Sequence, residues 1–277
     1  MARGLKKPAS PVSFPAMPTV PFPPLPSLVP GDLGAGTVRW LAHGADLAYA
    51  NGQEVCTMVQ AVGFAPFWLD EGSTSTQAWV GSDELRAVVA FRGTDSAPDW
   101  ATDAWAAKST PEWLPGVEVH HGFLRALDPV VARIDSLVGD RPVWICGHSL
   151  GGALATLYAA RCMVLGRPVA GVVTMGQPRV GTASFARWYQ ERLESRHIRV
   201  QNLADPVARI PPSNLGWTHV GTRWLLDNNG LCAEVPWWRT ILTKLDWSDP
   251  YKSARRAARD AVGEHACSEY LKRLAKV

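Results

Sequence analysis

Apolar positions change period repeatedly along the chain. Residues 37–50 repeat at helical spacing, with Trp40, Leu41, Leu47 and Tyr49 on the buried side. Phe64–Leu69, Gln77–Val80 and Leu85–Phe91 read as strands. The last, LRAVVAF, is continuously apolar and rich in β-branched residues, as a strand covered on both faces should be. Val117–His121 reads as a short strand or turn. Phe123–Val138 carries an apolar stripe of Phe123, Leu124, Leu127, Val130, Val131, Ile134, Leu137 and Val138, which predicts an amphipathic helix. Pro142–Cys146 predicts a strand, and Leu150–Leu165 a helix apolar nearly all round and hence buried. Val169–Met175 then reads as strand, Ser184–Leu193 as helix and Ile198–Leu203 as strand. This alternation predicts an α/β fold with a mostly parallel sheet and helices on both faces.

The chain ahead of this pattern is different in kind. Residues 8–30 hold nine prolines, each of which fixes φ and lacks an N–H, so neither helix nor inner strand can form. Residues 1–36 are therefore expected to be an extended or disordered arm, and 37–277 a single α/β domain. With 47% hydrophobic and 19% charged residues there is ample material for a core, which excludes a wholly disordered chain. No apolar run approaches the roughly 18 residues of a membrane span. A net charge of +3, scattered along the sequence, argues against nucleic acid as a partner.

Five cysteines, Cys56, Cys146, Cys162, Cys232 and Cys267, lie far apart with no CxxC pair, so neither a disulfide scaffold nor a zinc site is expected. Arg3, Lys6 and Lys7 precede prolines and not a continuous apolar stretch. Together these observations predict a cytoplasmic or non-classically exported protein. No metal-ligand spacing, phosphate loop or dinucleotide fingerprint occurs, and no cofactor is expected.

The strongest local signal is Gly147-His148-Ser149-Leu150-Gly151-Gly152, between the strand PVWIC and the helix LGGALATLYAA. A serine on so tight a strand-to-helix turn has strained backbone and needs small neighbours two residues away, which Gly147 and Gly151 supply. The turn lifts the Ser149 hydroxyl above the sheet and points the Leu150 N–H at the same space, near the positive end of the helix. Ser149 is thus the candidate nucleophile, and it needs a base. Of seven histidines, His148 lies inside the turn and points away from its own serine, and His43 precedes the nucleophile. The usual order of serine, acid, histidine leaves His197, His219 and His265. Asp205 follows the strand IRVQNL directly, so it is delivered to the carboxyl edge of the sheet, where Ser149 also stands. His197 precedes that strand and lies at the opposite edge.

These residues resemble a known family, the class 3 (fungal-type) lipases of the α/β-hydrolase superfamily. Five stretches match in order: FRGT at Phe91–Thr94, VHHGFLRAL at Val119–Leu127, GHSLGGALA at the nucleophile, TMGQPRVG at Thr174–Gly181 and NLADPVARIPP at Asn202–Pro212. The set covers roughly residues 40–275. Thr182 stands where the family usually has Asn, and Ala208 where it often has Pro. The resemblance implies that His219, within WTHVG, belongs to a structural strand and that His265 is the catalytic base. Gly263 would break the preceding helix, leaving His265 near the start of a helix that buries Cys267, Tyr270, Leu271 and Leu274.

The implied chemistry is acyl transfer, with Ser149 as nucleophile, His265 as base and Asp205 orienting the imidazole. The oxyanion would be held by the Leu150 N–H and, by resemblance, by Thr94 through its N–H and hydroxyl. Losing one such donor costs on the order of 3 kcal/mol. Arg92 is expected to be a structural anchor. After Asp99, Trp100, Ala101, Ala104, Trp105 and Lys108 describe a short amphipathic helix. The resemblance implies a lid there, with Trp100 and Trp105 meeting a lipid interface. A second aromatic cluster spans Trp237, Trp238, Ile241, Leu242, Leu245 and Trp247, ahead of a basic run from Lys252 to Arg259. The expected activity is a serine carboxylic ester hydrolase of the triacylglycerol lipase type acting on an ester or acylglycerol. A short-acyl or feruloyl-type esterase would use the same residues, and a non-catalytic lipase-like protein recruited by its proline-rich arm is the contrasting expectation.

Overall fold

A computed structural model describes residues 22–94, 107–231 and 263–277. An eight-stranded sheet forms the frame. In chain order its strands are β1 (Ala65–Glu71), β2 (Thr76–Ser82), β3 (Ala87–Phe91), β6 (Val143–His148), β7 (Val169–Met175), β9 (His197–Asn202), β11 (Thr222–Asp227) and β12 (Gly230–Leu231), and this is also their order across the sheet. The pairs from β3 to β11 are parallel, and the outer pairs β1–β2, β2–β3 and β11–β12 are antiparallel. The short strands β4 (Lys108–Ser109), β5 (Val119–His120), β8 (Gly181–Thr182) and β10 (Trp217–Thr218) make a second, four-stranded sheet.

The central strands are apolar on both sides because both sides are covered. Every residue of β3, β6 and β7 is buried. On one face lie α3 (His121–Val138), α4 (Leu150–Val164) and α5 (Ala183–Leu193), whose Leu127, Ile134, Leu157 and Tyr189 pack with Val89 and Ile145. On the other lie α1 (Ala35–Leu47), α2 (Gly52–Ala61) and α6 (Cys267–Leu274), where Trp40, Leu41, Val59 and Tyr270 pack with Val88, Trp144 and Val200. Residues 22–34 run without helix or strand, and Leu28 is buried in the second cluster.

Some differences from expectation have a local reason. The strand expected from Leu85 begins at Ala87, because the Asp83 carboxylate accepts from the N–H groups of Leu85 and Arg86, both at 2.8 Å, and closes a turn there. Helix α2 was not anticipated, since it buries only Val55 and Val59. Its signal was a cap: Asn51 Oδ1 accepts from Glu54 N–H at 3.0 Å. The helix expected ahead of Gly263 lies outside the described residues. Residues 263–265 are helical, and the break falls at Ala266, whose ψ of 135° is extended.

Candidate active site

Ser149 leaves β6 with φ 58° and ψ −127° and heads α4. The glycines around it have a direct steric reason. A Cβ on Gly147 would come within 2.2 Å of the Gly151 carbonyl oxygen, and one on Gly151 within 2.1 Å of the Phe91 carbonyl oxygen. The Ser149 N–H donates to the Met175 carbonyl at 2.9 Å, which ties the turn to the end of β7.

Asp205 stands three residues beyond β9 and is fully buried. One carboxylate oxygen, Oδ1, accepts from Val207 N–H at 2.8 Å. The turn-forming role of an Asp-Pro pair is therefore present, but it uses only that oxygen. The other, Oδ2, faces His265 Nδ1 at 2.8 Å. His265 Nε2 in turn lies 2.8 Å from Ser149 Oγ. The structure thus brings together three side chains separated by 60 and 116 positions in the chain. Gly176 makes room for the meeting: with φ 57°, it leaves a gap where a Cβ would lie 2.8 Å from His265 Cε1 and 2.9 Å from Asp205 Oδ2.

His265 arrives on a short segment fastened from several sides. The preceding residue, Glu264, receives both terminal nitrogens of Arg273, at 2.6 and 2.9 Å, and its carbonyl accepts from Asn202 Nδ2 at 2.8 Å. The Tyr270 hydroxyl lies 2.5 Å from Asp205 Oδ2 and accepts from Asn202 N–H at 3.0 Å. Burial, followed by the Asp205 charge, pushes the Tyr270 phenol well above its ordinary pKa, so it remains a donor. The sequence reading treated Tyr270 only as a core residue. A buried tyrosine must still find a partner for its hydroxyl, and that was the available signal.

The other histidines take up structural posts. His197 is fully buried between Thr174 Oγ1 at 3.0 Å and Tyr189 Oη at 2.9 Å, and burial pushes it down to about 3. His219 Nε2 donates to the Ala208 carbonyl at 2.7 Å. His148 is no base for its own serine, as expected, but it is not idle: its ring lies 4.6 Å from that of His265, tilted by 31°.

The loop after β3 brings Gly93 against the nucleophile, where an added Cβ would sit 3.1 Å from Ser149 Cβ. The Thr94 hydroxyl oxygen beyond it is buried and, among the described residues, has no hydrogen-bond partner. A buried hydroxyl costs free energy unless a partner meets it. Leu150 opens α4, where helix geometry leaves the first N–H groups without an intrahelical acceptor. Arg92 Nη1 donates to Gln77 Oε1 at 2.5 Å and its guanidinium lies 5.4 Å from the Tyr49 ring centre, as suits an anchor. Trp100 and Trp105, with the lid expected around them, lie outside the described residues, as do the Trp237–Trp247 cluster and the basic run after it. Among the described residues, no group of three side chains is placed to hold a metal, and no helix is long and apolar enough to cross a membrane.

The family model for class 3 lipases matches residues 88–215, from β3 through the acid loop. Over these residues the chain is similar to the class 3 lipases. A secreted mono- and diacylglycerol lipase of Fusarium solani is 35% identical over 167 residues, covering 57% of this chain and 50% of that protein. A secreted mono- and diacylglycerol lipase of Penicillium cyclopium is 28% identical over 186 residues, covering 63% of this chain and 60% of that one. The chain matches between half and three fifths of the length of these curated relatives. A solved triacylglycerol lipase, described as having a serine protease triad as its catalytic centre, superposes with a TM-score of 0.60 at 23% identity over 70% of this chain and 80% of its own. At that identity the likeness establishes the fold, which is that of the α/β-hydrolases.

The expectation of a cytoplasmic or non-classically exported protein is corrected by these relatives, which are named as secreted. The cysteines misled for a physical reason. Cys146 and Cys162 are buried thiols, and desolvation pushes Cys162 up to about 12 and Cys146 higher still. A thiol held so far from its reactive thiolate form persists unpaired in an oxidising medium, so free cysteines do not report the compartment.

Proposed function

We propose that this protein is an extracellular serine carboxylic ester hydrolase that cleaves acylglycerols, with residues 37–277 as its hydrolase domain. The observation that carries the reading is the unbroken contact path from Ser149 Oγ through the His265 imidazole to Asp205, each step 2.8 Å. A carboxylate at Nδ1 fixes the proton on that nitrogen, which leaves Nε2 bare to accept from the serine hydroxyl. As Ser149 Oγ attacks the ester carbonyl, Nε2 takes its proton. Asp205, buried and already holding Nδ1–H, stabilises the imidazolium. The negative oxygen of the tetrahedral intermediate is received by the Leu150 N–H and by Thr94, whose buried hydroxyl has no partner among the described residues. Collapse expels the glycerol oxygen, which takes the proton back from Nε2. Water then repeats the cycle on the acyl-enzyme and frees the fatty acid.

The names of the relatives, mono- and diacylglycerol lipases, support acylglycerol over other esters. The deciding experiment compares wild type with Ser149→Ala on p-nitrophenyl butyrate and on emulsified mono-, di- and triacylglycerol, with mass spectrometry after treatment with a serine-directed phosphonate. Hydrolysis lost in the variant, and a phosphonate adduct on Ser149, are expected. A wild type that hydrolyses none of these esters and leaves Ser149 unlabelled would overturn the proposal.

A further inference from the structure

His148 and Tyr49 lie beside the base and the nucleophile turn yet move no proton in the reaction above. His148 Nε2 lies 2.7 Å from the carbonyl oxygen of His265. A carbonyl only accepts, so Nε2 carries the hydrogen. Burial, reinforced by the neighbouring His265 ring, pushes the His148 imidazole down to about 3, so it is neutral and its Nδ1 is bare. That nitrogen lies 2.7 Å from the Tyr49 hydroxyl, which must therefore donate to it. The tautomer of His148 is thus pinned from both ends.

Tyr49 lies just beyond the C-terminus of α1 and is a junction in its own right. The Arg92 guanidinium lies 5.4 Å from its ring centre, and its hydroxyl occupies space that a Cβ on Gly93 would enter at 2.2 Å. One phenol therefore meets the loop that carries Thr94, the nucleophile turn and, through His148, the base.

We propose that the Tyr49–His148 pair is a positioning device that sets the station of His265 relative to Ser149. The inference rests on the ester-hydrolase reading above. Ser149 and His148 are consecutive residues of one sterically locked turn. The first carries the nucleophilic oxygen, and the second holds the backbone of the base by a hydrogen bond and lies against its ring, tilted by 31° at 4.6 Å. The separation between Oγ and Nε2 is thereby referred to a single rigid element. This matters because His265 comes not from a strand of the sheet but from a short docked segment. Misplacing a reacting group by about 1 Å costs on the order of 100-fold in rate.

The test uses a soluble short-chain ester and four proteins: wild type, His148→Phe, His148→Gln and Tyr49→Phe, with thermal unfolding recorded for each. Phenylalanine keeps the ring and loses both hydrogen bonds. Glutamine restores an N–H donor near the position of Nε2. His148→Phe is expected to lower kcat by about 10- to 100-fold with KM within about twofold, glutamine to recover most of that loss, and Tyr49→Phe to lower kcat by about threefold to tenfold. A role confined to packing would lower the melting temperature of the glutamine variant without this recovery of kcat. Wild-type kcat in folded His148→Phe, or a glutamine variant no better than phenylalanine, overturns the assignment. So does a loss expressed in KM alone. If His148→Phe does not fold, Tyr49→Phe carries the test, and unchanged kcat there overturns it. Failure of wild type to hydrolyse any ester sinks the underlying reading instead, and an active wild type with unaffected variants sinks only the pair.

Discussion

The hydroxyl of Tyr270 lies 2.5 Å from Oδ2 of Asp205, the same oxygen that faces His265 at 2.8 Å. Asp205 accepts a third hydrogen bond at Oδ1 from Val207 N–H. A carboxylate with no solvent exposure is thus satisfied on both oxygens and kept in one orientation. The helix that follows the base carries the tyrosine that fastens the acid, so base and acid are locked by one short segment.

Replacing Tyr270 by Phe removes a donor from a buried charge and deprives Asn202 N–H of its acceptor. Hydrogen bonds to charged groups are worth about 1.5–3 kcal/mol. The variant is expected to lose about 2 kcal/mol in urea unfolding and to fall about tenfold in kcat, since Asp205 becomes free to turn from Nδ1. A variant as stable and as fast as wild type would show that the contact orients nothing.

Much of this frame was legible in the sequence, because β3, β6 and β7 are buried on both sides and so print as unbroken apolar runs. The glycines of the nucleophile turn were legible as well, since their steric demand is local. What was not legible depended on distant contacts. Tyr270 and His148 earn their roles from partners 65 and 117 residues away, and nothing in their own neighbourhoods marks them. Helix α2 faces solvent on most sides, so its apolar pattern is thin and only the Asn51 cap announced it. The chain enters α6 at Ala266, a residue whose type carries no signal of a break.

Stability should fall steeply with acid before most carboxylates titrate. His148 and His197 are held neutral to about 3 by burial, against an ordinary value of 6.5. Between those values the unfolded imidazoles bind protons that the folded ones refuse, so the unfolded state gains as pH drops. Each such group contributes a slope of up to about 1.4 kcal/mol per pH unit. Urea unfolding at intervals from pH 7 to pH 5 should show the decline beginning near 6.5, and His197→Asn should flatten it by about one group's share. A level profile across that window would contradict the buried neutral state.

A charge cluster far from the nucleophile should affect stability alone. Asp135 on α3 accepts from Tyr158 Oη at 3.2 Å and Arg161 Nη2 at 3.3 Å on α4, and pairs closely with Arg167 beyond it. Its side chain is 11% exposed, and those of Arg161 and Arg167 are 21% and 23% exposed. Asp135→Ala strands two cations and a phenol, so a loss of about 2–3 kcal/mol is expected, discounted from the fully buried case for the partial exposure of the arginines. Activity per folded molecule should not change. A drop in kcat at full stability would mean that α3 and α4 communicate with the turn that α4 begins.

Ser149 itself should be a point of stored strain. Its φ of 58° with ψ of −127° is a region that glycine occupies freely and L-residues do not, and such a residue costs about 1–3 kcal/mol. Ser149→Ala removes the nucleophile but keeps the Cβ, and hence the strain. Ser149→Gly removes both, at a cost of about 0.5–1 kcal/mol from the greater freedom of the unfolded chain. The two inactive variants therefore isolate the backbone contribution, and the glycine form should be more stable than the alanine form by about 1 kcal/mol in guanidinium unfolding. Equal stability, or an advantage for alanine, would mean that the turn is relaxed and that the glycines at 147 and 151 serve only close approach. The expected order instead means that the chain keeps a disfavoured backbone at the residue whose hydroxyl must stand clear of the sheet, and that the surrounding contacts of β3, β6 and α4 hold it there.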